Sequence, residues 1–410
     1  MNMYSMSRVK NSKINGFMRN NNSIDSVLHT SYTGFMPDIN NISSIQDPVN
    51  NGVKAVVTEN TEAHKSKVEE KPLPPIRYPP FLWEKSQSLI KEIEQKLQSK
   101  TIAYYINEHT TMNTDNADYF FSHVRDLQPE SSLALILVSS GGEQIATWRI
   151  ANILRNYCNN LIIVVPSRCA SAATLLALSA EKILLGPAGF LTAIDTSLTH
   201  PLNPRPNGRG LPSRVSVDQI SRIKEFLDTD LKNYPGTKST SEILFANIHP
   251  VVFAELQRAS NLSKMIAKNM MQLRTNAPSE EDRNRIADML NDSYPTHGYP
   301  IVLKEAQKIG LPAEPTPPDL NPLLWELVKM YSLASKKIIT NITPTYFHLE
   351  HVPVIIESVN KRTFYRMSYY KRFMSQPSLG WIMENDKTGW LSATPNSDSN
   401  EHPKISEIEL

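Results

Sequence analysis

Three short apolar runs, set close together and separated by small residues, constrain this chain more than any other feature. Residues 134–138 read Ala-Leu-Ile-Leu-Val, residues 161–166 read Leu-Ile-Ile-Val-Val-Pro, and Ile183-Leu-Leu-Gly186 is the third. Runs this short and this uniformly apolar suit strands buried on both faces, as in a parallel sheet covered by helices. Amphipathic stretches fill the gaps at the spacing of an α/β fold. The breaks are equally informative. The first run ends in Ser139-Ser140-Gly141-Gly142, and the second leads into Ser167-Arg-Cys-Ala-Ser171-Ala-Ala-Thr174. The third is followed by Phe190-Leu-Thr-Ala-Ile-Asp195.

The flanks extend the same pattern. Leu82, Ile90, Ile93 and Leu97 recur at helical spacing, residues 101–106 read as a strand, and 118–127 as a short helix. Beyond Asp195, a proline-rich loop carrying His200 leads to helical patterns over 215–231, 251–273, 280–290 and 323–333, with another ending at Gly310. Residues 1–76 are rich in asparagine and lack apolar periodicity, which predicts a disordered tail unable to offset its ordering entropy. Pro72, Pro74, Pro75, Pro79 and Pro80 close that segment. The main domain is expected over 77–335. A small C-terminal extension, partly β and frayed at its end, is expected over 336–410. Within it, Phe364, Tyr365, Tyr369, Tyr370 and Phe373 alternate with Arg366, Lys371 and Arg372. That mixture reads as a half-buried sheet with snorkelling basic side chains rather than a nucleic-acid stacking surface.

Composition excludes some partners. A formal net charge of +2 over 410 residues gives no electrostatic argument for nucleic acid or an anionic membrane. No run approaches the roughly 18–20 apolar residues of a membrane span, and no secretory signal core stands at the start. The basic residues before Asp25 read as part of the tail rather than as an organelle-targeting peptide. Cys158 and Cys169, both in apolar surroundings, are too few for a disulfide framework, so a reducing, cytoplasmic setting is expected. With no His-Glu-x-x-His and no Cys-x-x-Cys, neither a metal nor a cofactor is expected.

Acyl transfer needs a nucleophile and backbone N–H donors facing the developing oxyanion. Gly141-Gly142 after a buried strand permits a turn that side chains would obstruct. Ser171 is expected at a helix N-terminus, where unpaired N–H groups favour negative charge. The N–H groups of Gly142 and Ala172 would then face one oxygen. The competing reading is that these small residues only allow close helix–strand packing.

Taken in order, these segments resemble the ClpP/crotonase superfamily, and within it the serine dehydrogenase proteinase family, relatives of the SppA signal-peptide peptidases. The residues that carry the resemblance are Leu135-Ile-Leu-Val-Ser-Ser-Gly-Gly142, Val164-Val-Pro166, Cys169-Ala-Ser171-Ala-Ala-Thr174, Ala180-Glu-Lys-Ile183, Leu191-Thr-Ala-Ile-Asp195 and Thr296-His297-Gly-Tyr-Pro-Ile301. The match covers roughly residues 81–333. It implies an α/β fold built as a ClpP-like spiral of ββα units. It also implies a serine endopeptidase acting on polypeptide through Ser171, an oxyanion hole from Gly141, Gly142 and Ala172, and a homo-oligomer. The sequence departs from the family at Ser139-Ser140, where relatives carry Thr-Pro, and at Ala172-Ala173, where relatives have a glycine. The resemblance leaves the base open between Lys224, which needs burial to accept a proton, and His297, with Asp195 to orient it. A catalytically degenerate scaffold of the same fold is the alternative, and acyl-CoA chemistry ranks last.

Overall fold

The computed structural model describes residues 82–195, 197–205, 210–229, 238–375, 380–396 and 403–408. These belong to one compact unit, Pro72–Leu410. The tail expected over 1–76 lies outside the described residues.

In chain order the first elements are α1 (Trp83–Leu97), β1 (Lys100–Ile106), α2 (Thr114–Val124), β2 (Glu130–Val138), α3 (Gln144–Arg155) and β3 (Cys158–Val165). Next come β4 (Arg168–Cys169), α4 (Ala172–Ala177), β5 (Lys182–Leu185), β6 (Phe190–Leu191), β7 (Ser197–Leu198) and β8 (Val215–Ser216). A helical stretch follows with α5 (Val217–Thr229), α6 (Thr240–Asn247), α7 (Pro250–Gln272), α8 (Glu280–Asp292), α9 (Leu303–Ile309), β9 (Ala313–Pro315) and α10 (Asn321–Ala334). The chain then turns to strands: β10 (Ile338–Thr343), β11 (Tyr346–Ser358), β12 (Lys361–Met374), β13 (Gly380–Glu384), β14 (Gly389–Thr394) and β15 (Lys404–Glu407).

The three apolar runs become β2, β3 and β5, neighbours in a mixed sheet ordered β15-β14-β12-β11-β1-β2-β3-β5-β9. β1, β2, β3, β5 and β9 pair in parallel. The apolar runs within β2, β3 and β5 are almost wholly buried, on both faces, which is why they carry no polar alternation. Ile102, Tyr104, Leu133, Leu135 and Leu137 pack with α2, α3, α4, α7 and α8 on one face. Ala103, Tyr105, Ile136 and Val138 pack with α1 and α10 on the other. Each fully buried leucine or isoleucine in these layers contributes roughly 1.5–3 kcal/mol.

The C-terminal strands do more than a small extension would. β11 pairs antiparallel with β1, matching Ile102 to Ser358 and Ile106 to Val354, so β10 to β15 continue the same sheet. Val354, Ile356 and Trp390 join the first core cluster, while Ile355, Phe364 and Ala393 join the second. This covers an edge of β1 that would otherwise present unpaired backbone groups. The aromatic–basic stretch is β12, with Phe364, Tyr369 and Tyr370 buried and Arg366 paired to Glu350.

A buried charge network locks the β11–β12 hairpin to the helices. Glu357 accepts from Arg362 Nε at 2.8 Å, Tyr331 Oη at 2.8 Å and Ser86 Oγ at 2.6 Å. Such a carboxylate is tolerable in the interior only because its lone pairs are satisfied. Among the described residues, no helix is long and apolar enough to cross a membrane.

Candidate active site

The di-glycine turn lies directly against the serine. Gly141 has φ +98° and Gly142 has φ +149°, conformations that side chains rarely adopt. A Cβ on Gly141 would stand 2.6 Å from the Ala170 carbonyl oxygen, 2.8 Å from Ser171 Cβ and 3.0 Å from Ala172 N. One on Gly142 would overlap the Met112 backbone, 2.1 Å from its oxygen. Both glycines are therefore required by close approach, and Gly141 is the point of contact with the Ser171 turn. The turn is held by Gly141 N–H donating to Ser139 Oγ at 3.0 Å and by Met112 N–H donating to the Gly141 carbonyl at 2.8 Å.

Ser171 sits between β4 and α4 with φ 55° and ψ −119°. For a residue with a side chain this is a sparsely populated conformation, costing about 1–3 kcal/mol and persisting only where its surroundings enforce it. Here they do. Ser171 N–H donates to Thr192 Oγ1 at 2.8 Å, and Thr192 N–H donates to Thr174 Oγ1 at 3.1 Å. Thr174 Oγ1 in turn donates to the Cys169 carbonyl at 2.8 Å, closing a frame around the turn. The half-buried Ser171 is thus carried at a sharp strand-to-helix corner. α4 spans only six residues, so the helix-dipole contribution expected from the sequence is small, and the corner itself is the feature. Among the described residues, no hydrogen bond engages the N–H of Gly142 or of Ala172.

Strand pairing brings the other candidates to the same neighbourhood. β4 pairs with β6, matching Cys169 to Leu191, and Leu191 bridges to Ile301. Two strand spacings place Cys169 and Ile301 about 10 Å apart. Asp195 follows four residues after Leu191, and His297 precedes Ile301 by four. These two meet: His297 Nδ1 lies 2.7 Å from Asp195 Oδ1. The Asp195 carboxyl group is buried at 10% side-chain exposure while the imidazole is 41% exposed, so a fixed acceptor orients a partly exposed ring. Ser263 Oγ anchors the segment before Asp195 by donating to the Ile194 carbonyl at 2.6 Å. With Nδ1 on the carboxylate, Nε2 is the ring nitrogen open to other partners. Ser171 Oγ makes no hydrogen bond among the described residues, so Ser171, His297 and Asp195 are not a closed triad in this structure.

The remaining candidates fall elsewhere. Lys224 is 65% exposed on α5 and paired with Asp228 at 3.1 Å, without the burial that a proton-accepting lysine requires. His200 Nδ1 accepts from Leu202 N–H at 3.1 Å, capping its own loop. Cys169 is fully buried, and burial pushes its thiol far above the usual range, which removes it as a rival nucleophile. Cys158 is pushed up to about 11 for the same reason. No group of three or more His, Cys, Asp or Glu side chains is placed to hold a metal ion among the described residues. Sequence reasoning missed Thr192, Ser139 and Arg168, whose roles come from hydrogen bonds that no motif signals.

Comparison with known proteins adds a distant relative. The chain is 21% identical over 253 residues to the uncharacterized protein MJ0137 of Methanocaldococcus jannaschii, covering 59% of this chain and 77% of that protein. No family model matches the chain, and no solved structure does.

Proposed function

We propose that this chain is a serine hydrolase of the ClpP/crotonase kind, similar to the serine dehydrogenase proteinases, that cleaves peptide bonds through an acyl-enzyme on Ser171. The observation that carries the reading is the strained Ser171 corner with Gly141 packed against it. Nothing about helix–strand packing alone calls for a serine at φ 55° whose N–H is separately caught by a threonine. The alternation of β2, α3, β3, α4 and β5, with the small β4–β6 pair beside it, supports a ClpP-like spiral.

In this mechanism His297 Nε2 takes the Ser171 hydroxyl proton as Oγ bonds to the scissile carbonyl carbon. Asp195 holds the ring by Nδ1 and stabilises the imidazolium. The carbonyl oxygen becomes an oxyanion between the N–H groups of Gly142 and Ala172. The tetrahedral centre collapses, the C–N bond breaks, and the imidazolium returns the proton to the leaving amine. Water then attacks the ester with the same base, releasing the acid and regenerating Ser171.

A fluorophosphonate probe followed by peptide mass mapping tests this. Labelling at Ser171 that disappears in Ser171→Ala supports the hydrolase. The open arrangement of Ser171 Oγ favours one second reading, a degenerate scaffold, and absence of labelling under conditions that modify an active serine hydrolase would establish it.

A further inference from the structure

We infer that Arg168 is a positioning residue, holding the di-glycine turn where the Gly142 N–H meets the oxyanion, the Gly141 N–H being taken up by Ser139 Oγ; this rests on the hydrolase reading of Ser171. Arg168 stands where the ends of three strands converge. Its Nη2 donates to the carbonyl of Ile106, the last residue of β1, at 2.8 Å. Its Nε donates to Ser140 Oγ, just past the end of β2, at 3.1 Å. The guanidinium lies over the Tyr105 ring, 5.9 Å from its centroid, and Tyr105 is buried. Its own backbone belongs to β4, three residues before Ser171, and its carbonyl accepts from Ser139 N–H at 3.0 Å.

The turn therefore has a hold at each residue before Gly142. Ser139 is fixed by backbone bonds to Arg168 and Ala170, Ser140 by the Arg168 side chain, and Gly141 by Ser139 Oγ. The two consecutive serines act as acceptors, one for the turn's own N–H and one for the guanidinium. Only a planar fork reaches two acceptors on separate strands at fixed angles; an ammonium on a flexible stem serves one or the other. Without the fork, Ser140 is tied to neither β1 nor β4, and the turn is free to drift from Ala172. The oxyanion forms only in the transition state, so such a drift weakens transition-state binding and leaves ground-state binding intact.

Arg168→Ala, Arg168→Lys and Ser140→Ala, with the double variant Arg168→Ala/Ser140→Ala, test the assignment by ester turnover and fluorophosphonate labelling of the full chain. Expected are a fall in kcat of about 10–100-fold for Arg168→Ala, the scale of a misplaced reactive group, with KM little changed, and a partial return on adding guanidinium ion. The double variant should be no worse than Arg168→Ala, because the bond that Ser140→Ala removes is already lost with the guanidinium. The acid limb of kcat/KM, set by the base, should not move. If the wild-type chain labels at Ser171 while Arg168→Ala keeps wild-type kcat, or loses KM instead, the positioning role is overturned alone. If the wild-type chain does not label, the hydrolase reading fails and takes this role with it. Should Arg168→Ala not fold, Ser140→Ala decides: unchanged kcat overturns the role, and a drop in kcat at constant KM supports it.

Discussion

Adding one methyl group at Gly141 is the sharpest single perturbation of the proposed site. Alanine there must adopt φ +98° and place its Cβ 2.8 Å from Ser171 Cβ and 2.6 Å from the Ala170 carbonyl oxygen. Ordinary carbon–carbon contact is near 3.5–4.0 Å, so either Gly141 or the Ser171 corner must retreat by about 1 Å. The backbone conformation costs about 1–2 kcal/mol for a residue with a Cβ, and overpacking a filled interior adds roughly 1–3 kcal/mol. Together they come to about 2–5 kcal/mol, which most of the usual 5–15 kcal/mol range of domain stability can survive. Activity should not survive as well, since a 1 Å displacement at a reacting group costs on the order of 100-fold. The assay pairs urea denaturation of Gly141→Ala, read by far-UV circular dichroism, with its fluorophosphonate labelling rate at Ser171. A folded variant labelled within about threefold of wild type would show that the Gly141 contact does not set the geometry of the serine, and the steric reasoning would fail.

Other consequences are independent of that one. Asp195→Asn should lower turnover by roughly 10⁴-fold, the cost of replacing a triad carboxylate by its amide, while Lys224→Ala on the exposed face of α5 should leave kcat/KM within about twofold; steady-state kinetics separates them. His123 is buried between Thr363 Oγ1 and Ser358 Oγ, and burial, reinforced by the Lys361 charge, lowers its pKa from 6.5 to about 3. The folded chain then binds fewer protons than the unfolded chain between those values. Stability should therefore fall as pH drops below 6.5, by about 2 kcal/mol from this residue at pH 5, and urea midpoints of wild type and His123→Gln should converge on acidification. Arg362→Met strands Glu357, which is 0% exposed, and should cost about 3–5 kcal/mol in a denaturation curve.

How far the sequence reaches depends on which signal a residue sends. β2, β3 and β5 were legible because burial on both faces leaves no polar residue in the strand, a local property of composition. The helices over 250–272 and 280–292 were legible from period, and Gly310 from its place at the end of α9, where it takes φ +100°. The C-terminal segment was visible as partly β and the aromatic–basic stretch of β12 as half-buried sheet, yet the place of β11 beside β1, with β12 next to it, was not. Nothing in residues 346–374 records that residue 102 pairs with residue 358, because that register is set by which edge is left open.

The site divides along the same line. By itself the sequence determined that small residues interrupt buried strands at 139–142 and 169–174, and that Asp195 and His297 stand near turns. Only the tertiary structure decided that Gly141 touches Ser171, that Thr192 and Arg168 brace the turn, that His297 meets Asp195 across 102 positions, and that Lys224 faces solvent. The reason is one of range. Periodicity and turn chemistry act over a few residues and leave their mark in order. A contact between distant segments is fixed by strand pairing and core packing, which many sequences satisfy and no short stretch encodes.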